Sequence, residues 1–169
     1  MDANPQMKGV ILAGGTGTRL SPLTLSTNKH LLPIGPQQMI VHCINKMVEC
    51  DILDILIITG DEHMGDMIRL LGSGKRYGCS FTYKVQDVAL GIAHALSLAE
   101  GFCGNDRFVV MLGDNILQDS IIPFKAAFEK SAKACMLLLK SVEDPSRFGV
   151  ARFTPDGTKI MEILEKPQD

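Results

Sequence analysis

The densest group of residues suited to chemistry is Leu12-Ala13-Gly14-Gly15-Thr16-Gly17-Thr18-Arg19-Leu20, in which three of the four positions 14–17 are glycine. Glycines at this density let the backbone take positive φ and turn N–H groups toward an anion with no Cβ in the way. The loop is not a Walker A motif, since Gly-x-x-x-x-Gly-Lys-Ser/Thr is absent. It is also a poor dinucleotide fingerprint, because Leu20 stands where the third glycine belongs. The glycines alone fit a tight strand-to-helix turn equally well. Arg19 favours the anion, because a permanently charged, fork-shaped donor beside the loop can clamp the oxygens that the loop amides cradle.

Further along, Lys29 precedes the apolar stretch Leu31-Leu32-Pro33-Ile34, and Asp114 follows the apolar run Phe108 to Leu112. Taken singly, Lys29 reads as a solvated lysine at an element boundary. Asp114, in Gly113-Asp114-Asn115, has a turn carboxylate bonding backbone amides as its lesser alternative. Taken together they suit phosphate chemistry. A triphosphate facing a second phosphate carries roughly six negative charges at neutral pH, so several cations must converge. An acid at a strand's carboxyl end can hold Mg²⁺ among bound phosphates.

These residues need a scaffold that brings loops to one edge, and the chain alternates accordingly. Met7 to Leu12 reads as a buried strand, and Ile40, Cys43, Ile44, Met47 and Val48 lie at helical spacing within Met39 to Cys50. Strands are expected at Ile55 to Thr59, Phe81 to Val85 and Phe108 to Leu112. Helices are expected at Glu62 to Leu71, stopping at Gly72-Ser73-Gly74, at Gly91 to Glu100, and ending through Ala126 to Lys133. Further strands are expected at Cys135 to Lys140, Gly149 to Phe153 and Ile160 to Leu164, the last two joined at Pro155-Asp156-Gly157. Strands separated by helices imply crossovers and a largely parallel sheet covered on both faces. The expected fold is therefore α/β, a Rossmann-like three-layer arrangement with a mixed, mostly parallel sheet. Ligands in such sheets bind beyond the strands' carboxyl ends, which points to the loops after Leu12, Thr59, Val85 and Leu112.

Composition narrows the classes. The 169 residues are 46% hydrophobic and 21% charged, enough for a buried core in one domain. A net charge of −2 offers no general attraction to nucleic acid or anionic lipid, so any phosphate needs a local site. The longest uninterrupted apolar run, Ala134 to Leu139, is far short of the roughly 20 residues that span a bilayer. The opening residues carry no basic-then-apolar leader, and the expected location is cytoplasmic. Five cysteines without a C-x-x-C pair suggest reduced, mostly buried thiols. The spacing of His30, His42, His63 and His94 argues against a histidine metal centre.

Gly14-Gly15-Thr16-Gly17-Thr18-Arg19-Leu20-Ser21-Pro22-Leu23-Thr24, Lys29-His30-Leu31-Leu32-Pro33, Gly91-Ile92-Ala93-His94-Ala95-Leu96, Leu112-Gly113-Asp114-Asn115 and Glu165-Lys166-Pro167 together resemble the sugar-1-phosphate nucleotidylyltransferases. The likeness runs from Met7 onward, in order and spacing, and is nearest to the thymidylyltransferases that use glucose 1-phosphate. It implies nucleotidyl transfer from dTTP or another NTP to a sugar 1-phosphate, with release of pyrophosphate and Mg²⁺ as cofactor. By the same resemblance the loop Leu12 to Thr18, with Gly14, Gly15, Thr16 and Gly17, binds the triphosphate together with Arg19, and Lys29 meets the α-phosphate. Gln86 and Gly91 would read a pyrimidine base, Asp114 would hold the metal, and Gly149, Glu165 and Lys166 would serve the sugar phosphate. From the residues alone, Gln86 is equally a strand-end amide, and Glu165 with Lys166 an ordinary surface pair.

The chain departs from the family at Gln37-Gln38, where Lys-Pro is usual, and at His94, where glutamine is common and no role is assigned. It also stops at Asp169, so the expectation is one nucleotidyltransferase domain lacking the family's C-terminal portion. A homo-oligomer or a completing partner chain fits that expectation. Two other readings stay open: a non-catalytic nucleotide-binding or interaction module, and a UTP-, CTP- or GTP-using relative.

Overall fold

In the computed structural model, residues 6–15, 17–25 and 27–167 are described. The chain divides into two compact units, Met1–Ser131 and Ala132–Asp169.

The first unit is organised by β1 (Lys8–Ala13), five of whose six residues are buried. β1 pairs in parallel with β4 (Asp54–Thr59) on one side and β6 (Phe108–Leu112) on the other, with Ile11 level with Ile57 and Met111. β5 (Ser80–Val85) pairs in parallel with β4, and the sheet order is β5-β4-β1-β6. The order runs outward through β4 to β5, then reverses across β1 to β6. That reversal is a topological switch point, where the loops after neighbouring strands leave in opposite directions and open a crevice. A short antiparallel pair, β2 (Pro33–Ile34) and β3 (Gln37–Gln38), stands apart from the sheet.

Two-residue periodicity sends alternate side chains of β1 and β4 to opposite faces, and both faces are covered. Ile11, Ala13, Ile55, Ile57 and Met111 belong to one core with Ile40, Cys43, Ile44 and Met47 of α1 (Met39–Glu49) and Met67 and Leu71 of α2 (Met64–Leu71). Val10, Leu12, Leu56 and Ile58 pack on the other face with Ala95 of α3 (Ile92–Ser97), Ala99, and Cys103 of α4 (Glu100–Cys103). The α/β reading with helices on both faces therefore holds. Local chemistry sets the helix ends: α2 stops at Gly72, φ 61°, whose N–H reaches the Ile68 carbonyl. α5 (Ile122–Lys130) opens with Pro123 in its first turn, where the missing N–H costs no helical bond. Four free cysteines are buried, and Cys135 is exposed.

In the second unit β7 (Gly149–Phe153) and β8 (Ile160–Glu165) form the expected antiparallel pair. The turn between them is held by Thr154 N–H to the Lys159 carbonyl and by Asp156 accepting from Thr158. The strand expected at Cys135 to Lys140 is not formed. Met136, Leu137, Leu138 and Leu139 are exposed there, and no ladder joins this segment among the described residues. Apolar content can propose a strand, but only a neighbour with free backbone groups makes one.

The central position of Ile57 carries a direct test. It is fully buried, and Ile57→Ala is expected to cost about 2–5 kcal/mol, seen as a lower denaturant midpoint at an unchanged m-value.

Candidate nucleotide site

The glycine loop leaves β1 at the switch point, and its lack of side chains is used on both sides. A Cβ at Gly14 would sit 2.8 Å from Gln86 Oε1, and one at Gly15 would sit 3.2 Å from Lys29 Cε and Nζ. Gly17 has φ 67°, and a Cβ there would meet Lys29 Cβ at 2.9 Å. The loop thus threads between an amide from the end of β5 and the lysine side chain. Side chains at these positions would push both away.

Asn28 holds that lysine in place. Its side chain is buried, donating from Nδ2 to the Ala13 carbonyl at 3.2 Å and accepting at Oδ1 from the His30 backbone N–H at 2.9 Å. It thereby caps the short helical turn Lys29–Leu31 and ties that turn to the end of β1. His30, 2% exposed, donates from Nδ1 to the same Asn28 oxygen at 2.6 Å. Its ring lies behind Gly113, where a Cβ would come within 2.8 Å of Cδ2. The Asn28–His30 pair thus braces Gly113, the residue before Asp114.

Burial, with the positive charge of Lys29 adding to it, pulls the His30 pKa down to about 4, so the ring is neutral at pH 7; the charge of Asp114 acts the other way. Lys29 Nζ forms an ion pair and hydrogen bond with Asp114 Oδ2. Burial acts to raise the Asp114 carboxyl, but the hydrogen bond and charge of Lys29, joined in acid by the His30 ring once it is protonated, outweigh it and hold the pKa below the ordinary carboxylate value. Opposite charges paired at such an edge can each take another partner: an anion could compete for Lys29, and a cation for Asp114.

Beside the loop lies a cavity of about 560 Å³, lined by Gly14, Gly15, Thr18 and Asn28 at one side and by Gly60, Gln86 and Asp87 at another. Of the site residues expected from sequence, Gly14, Gly15, Thr18 and Gln86 therefore share one cavity, and Lys29 packs on its loop beside Asp114. Leu12 is buried at the strand end below. Gly91 precedes α3, with φ 93°, and its carbonyl accepts from Gln86 Nε2 at 3.5 Å. Thr16 lies outside the described residues, as does the side chain of Arg19, whose backbone belongs to the short helical turn Thr18–Leu20.

Gly149, Glu165 and Lys166 gather at one end of the β7–β8 pair. Gly149 is level with Glu165, and Lys166 Nζ lies 3.5 Å from Glu165 Oε1.

Three residues of the site went unassigned at the level of sequence. Asn28 could have been found from its type, since asparagine is a favoured cap before a helical turn. His30 and His94 gave no such signal, because what each braces, Gly113 for His30 and the Gln86 amide for His94, is set by how one element packs on another. His94 proves not to be an idle helix residue, for its Nδ1 lies 3.0 Å from Gln86 Nε2.

The nucleotidyl transferase family model matches residues 8–169. A glucose-1-phosphate thymidylyltransferase of Neisseria meningitidis is 40% identical over 164 residues, covering 96% of this chain and 56% of that protein. A low-salt glycan biosynthesis nucleotidyltransferase of Haloferax volcanii is 37% identical over 163 residues, covering 96% and 45%. A crystal structure of a Bacillus anthracis protein, given as a glucose-1-phosphate thymidylyltransferase in complex with sucrose, superposes with a TM-score of 0.92 at 58% identity, covering 96% of this chain and 65% of that one. A UDP-glucose pyrophosphorylase complexed with UDP-glucose shares the fold at a TM-score of 0.75 and 22% identity. The chain spans about half the length of the curated relatives it matches.

His30 also sets a pH test of the brace. Its folded pKa of about 4 lies below the ordinary 6.5, so between these values the unfolded chain takes up a proton that the folded one refuses. Stability from this group is intact above pH 6.5 and is lost as pH falls toward 4, by on the order of 3 kcal/mol. Denaturant unfolding between pH 7 and 4 should show this loss, and His30→Gln should remove its share. An identical pH dependence in the variant would assign the loss to other groups.

Proposed function

Since the chain belongs to the nucleotidyl transferase family, we propose that it catalyses, or forms the nucleotide-binding part of a protein that catalyses, transfer of a nucleotidyl group from dTTP to glucose 1-phosphate. The reading is carried by one observation: Lys29 and Asp114 meet against a glycine loop that also borders the cavity containing Gln86. An oxygen of the sugar phosphate attacks the α-phosphorus, the bond to the β-phosphate oxygen breaks in line, and pyrophosphate leaves. A phosphate is already a competent nucleophile, so the protein positions and neutralises, and needs no covalent intermediate.

In this reading the amides of Gly14 to Gly17 and Arg19 hold the triphosphate, Lys29 offsets charge at the α-phosphate, and Gln86 and Gly91 read the base. Glu165 accepts sugar hydroxyl protons as hydrogen bonds, Lys166 faces the incoming phosphate, and Gly149 leaves room beside them. Both compact units then belong to one nucleotidyltransferase domain, and a homo-oligomer or partner chain that supplies further sugar contacts is compatible with it.

Asp114 is the candidate ligand for Mg²⁺. No group of three or more His, Cys, Asp or Glu able to hold a metal exists among the described residues. A single, partly exposed carboxylate fits a cation that keeps several waters and takes its remaining ligands from phosphates. When bound there, Mg²⁺ supplies Lewis-acid charge and a template for the phosphate oxygens. No helix among the described residues is long and apolar enough to cross a membrane.

Pyrophosphate release from dTTP and glucose 1-phosphate with Mg²⁺ is the expected activity. Asp114→Asn and Lys29→Ala should each lower kcat/KM about 100-fold or more while melting near the parent, as loss of a charge-stabilising group does. Full activity in either variant would remove that residue from the mechanism. A panel of dTTP, UTP, CTP and GTP should rank dTTP first, and a different winner would reassign the donor. Tight dTTP binding without turnover would instead identify a nucleotide-binding module.

A further inference from the structure

Gln86, only 8% exposed, has one end of its amide committed to the protein. Nε2 donates to the Gly91 carbonyl at 3.5 Å and lies 3.0 Å from His94 Nδ1. A carbonyl oxygen only accepts, so the nitrogen of the amide, and not its oxygen, must face Gly91. That fixes the imidazole as well. With the amide nitrogen donating toward it, His94 Nδ1 is the unprotonated acceptor, and the ring proton is on Nε2.

Oε1 is what remains. No donor meets it among the described residues, and no fully buried side-chain polar atom there lacks a partner, so this oxygen is open. It lies 2.8 Å from the point a Cβ on Gly14 would occupy, and Gly14 and Gln86 line the same cavity. The cavity is therefore offered a hydrogen-bond acceptor whose direction is set from behind.

We propose that His94 is a positioning residue: with the Gly91 carbonyl it locks the Gln86 amide oxygen toward the cavity, so that the site selects thymine or uracil over cytosine. The inference rests on reading the cavity as the base pocket. Thymine and uracil carry an N–H at ring position 3 and satisfy the oxygen, whereas cytosine presents a lone pair there and leaves two acceptors facing each other. Inverting the amide to suit cytosine would turn Oε1 onto the Gly91 oxygen and strip His94 Nδ1 of its donor. Discrimination of this kind is strong because a mismatched edge leaves polar groups unpaired.

The test is calorimetry on the full chain with dTTP, with dCTP and with inorganic tripolyphosphate as a base-free probe. The parent should bind dTTP more tightly than dCTP. His94→Leu should lower the dTTP-to-dCTP affinity ratio about tenfold, the scale of one lost hydrogen bond, and leave tripolyphosphate affinity unchanged. His94→Gln, which keeps an acceptor, should hold the ratio within about threefold of the parent. Nitrogen NMR of the parent should find Nδ1 of His94 unprotonated. An unmoved ratio in His94→Leu, a loss shared equally with tripolyphosphate, or a protonated Nδ1 overturns the role of His94 and leaves the nucleotide reading standing. Failure of the parent to bind dTTP overturns both.

Discussion

Lys29 and Asp114 lie 85 residues apart in the chain and meet only because β6 pairs with β1. β1 delivers the glycine loop, and the chain then folds back through Asn28, which is anchored on the last carbonyl of the same strand. β6 delivers Gly113 and Asp114 alongside. Remove the parallel register between these two strands, and the cation, the carboxylate and the loop amides no longer share an edge. Everything assigned to the site depends on that pairing, which the buried β-branched and aliphatic residues of β1 and β4 hold from within.

Around that pairing, polar groups are braced twice over. Behind the lysine, a neutral His30, held by Asn28, fills the space under Gly113. Behind the Gln86 side of the cavity, His94 and the Gly91 carbonyl hold the amide. In both places a histidine works as a hydrogen-bonding strut, and in both a glycine leaves room, Gly113 for the His30 ring and Gly14 for the Gln86 amide oxygen. Groups held in this way meet a ligand with little reorganisation, which matters most where charge must be balanced over a few ångströms.

Several features of the fold were legible beforehand. The apolar runs of β1, β4, β5 and β6 and the helical spacing in α1 lie where the pattern places them, because burial on one face or both leaves a local record in residue type. The run Ala134 to Leu139 looks the same by that measure yet forms no strand, since its outcome turns on a neighbour that composition does not encode.

The sequence by itself determined which groups are available: a glycine-rich bend without Cβ atoms, the lysine after Asn28, the acid after a buried strand, and the family to which their order points. Only the tertiary structure decided which of them touch. The Lys29–Asp114 pair, the brace under Gly113 and the orientation of the Gln86 amide are contacts between separate segments. Their geometry follows from strand order and from the distance between loops, and neither leaves a trace in local periodicity.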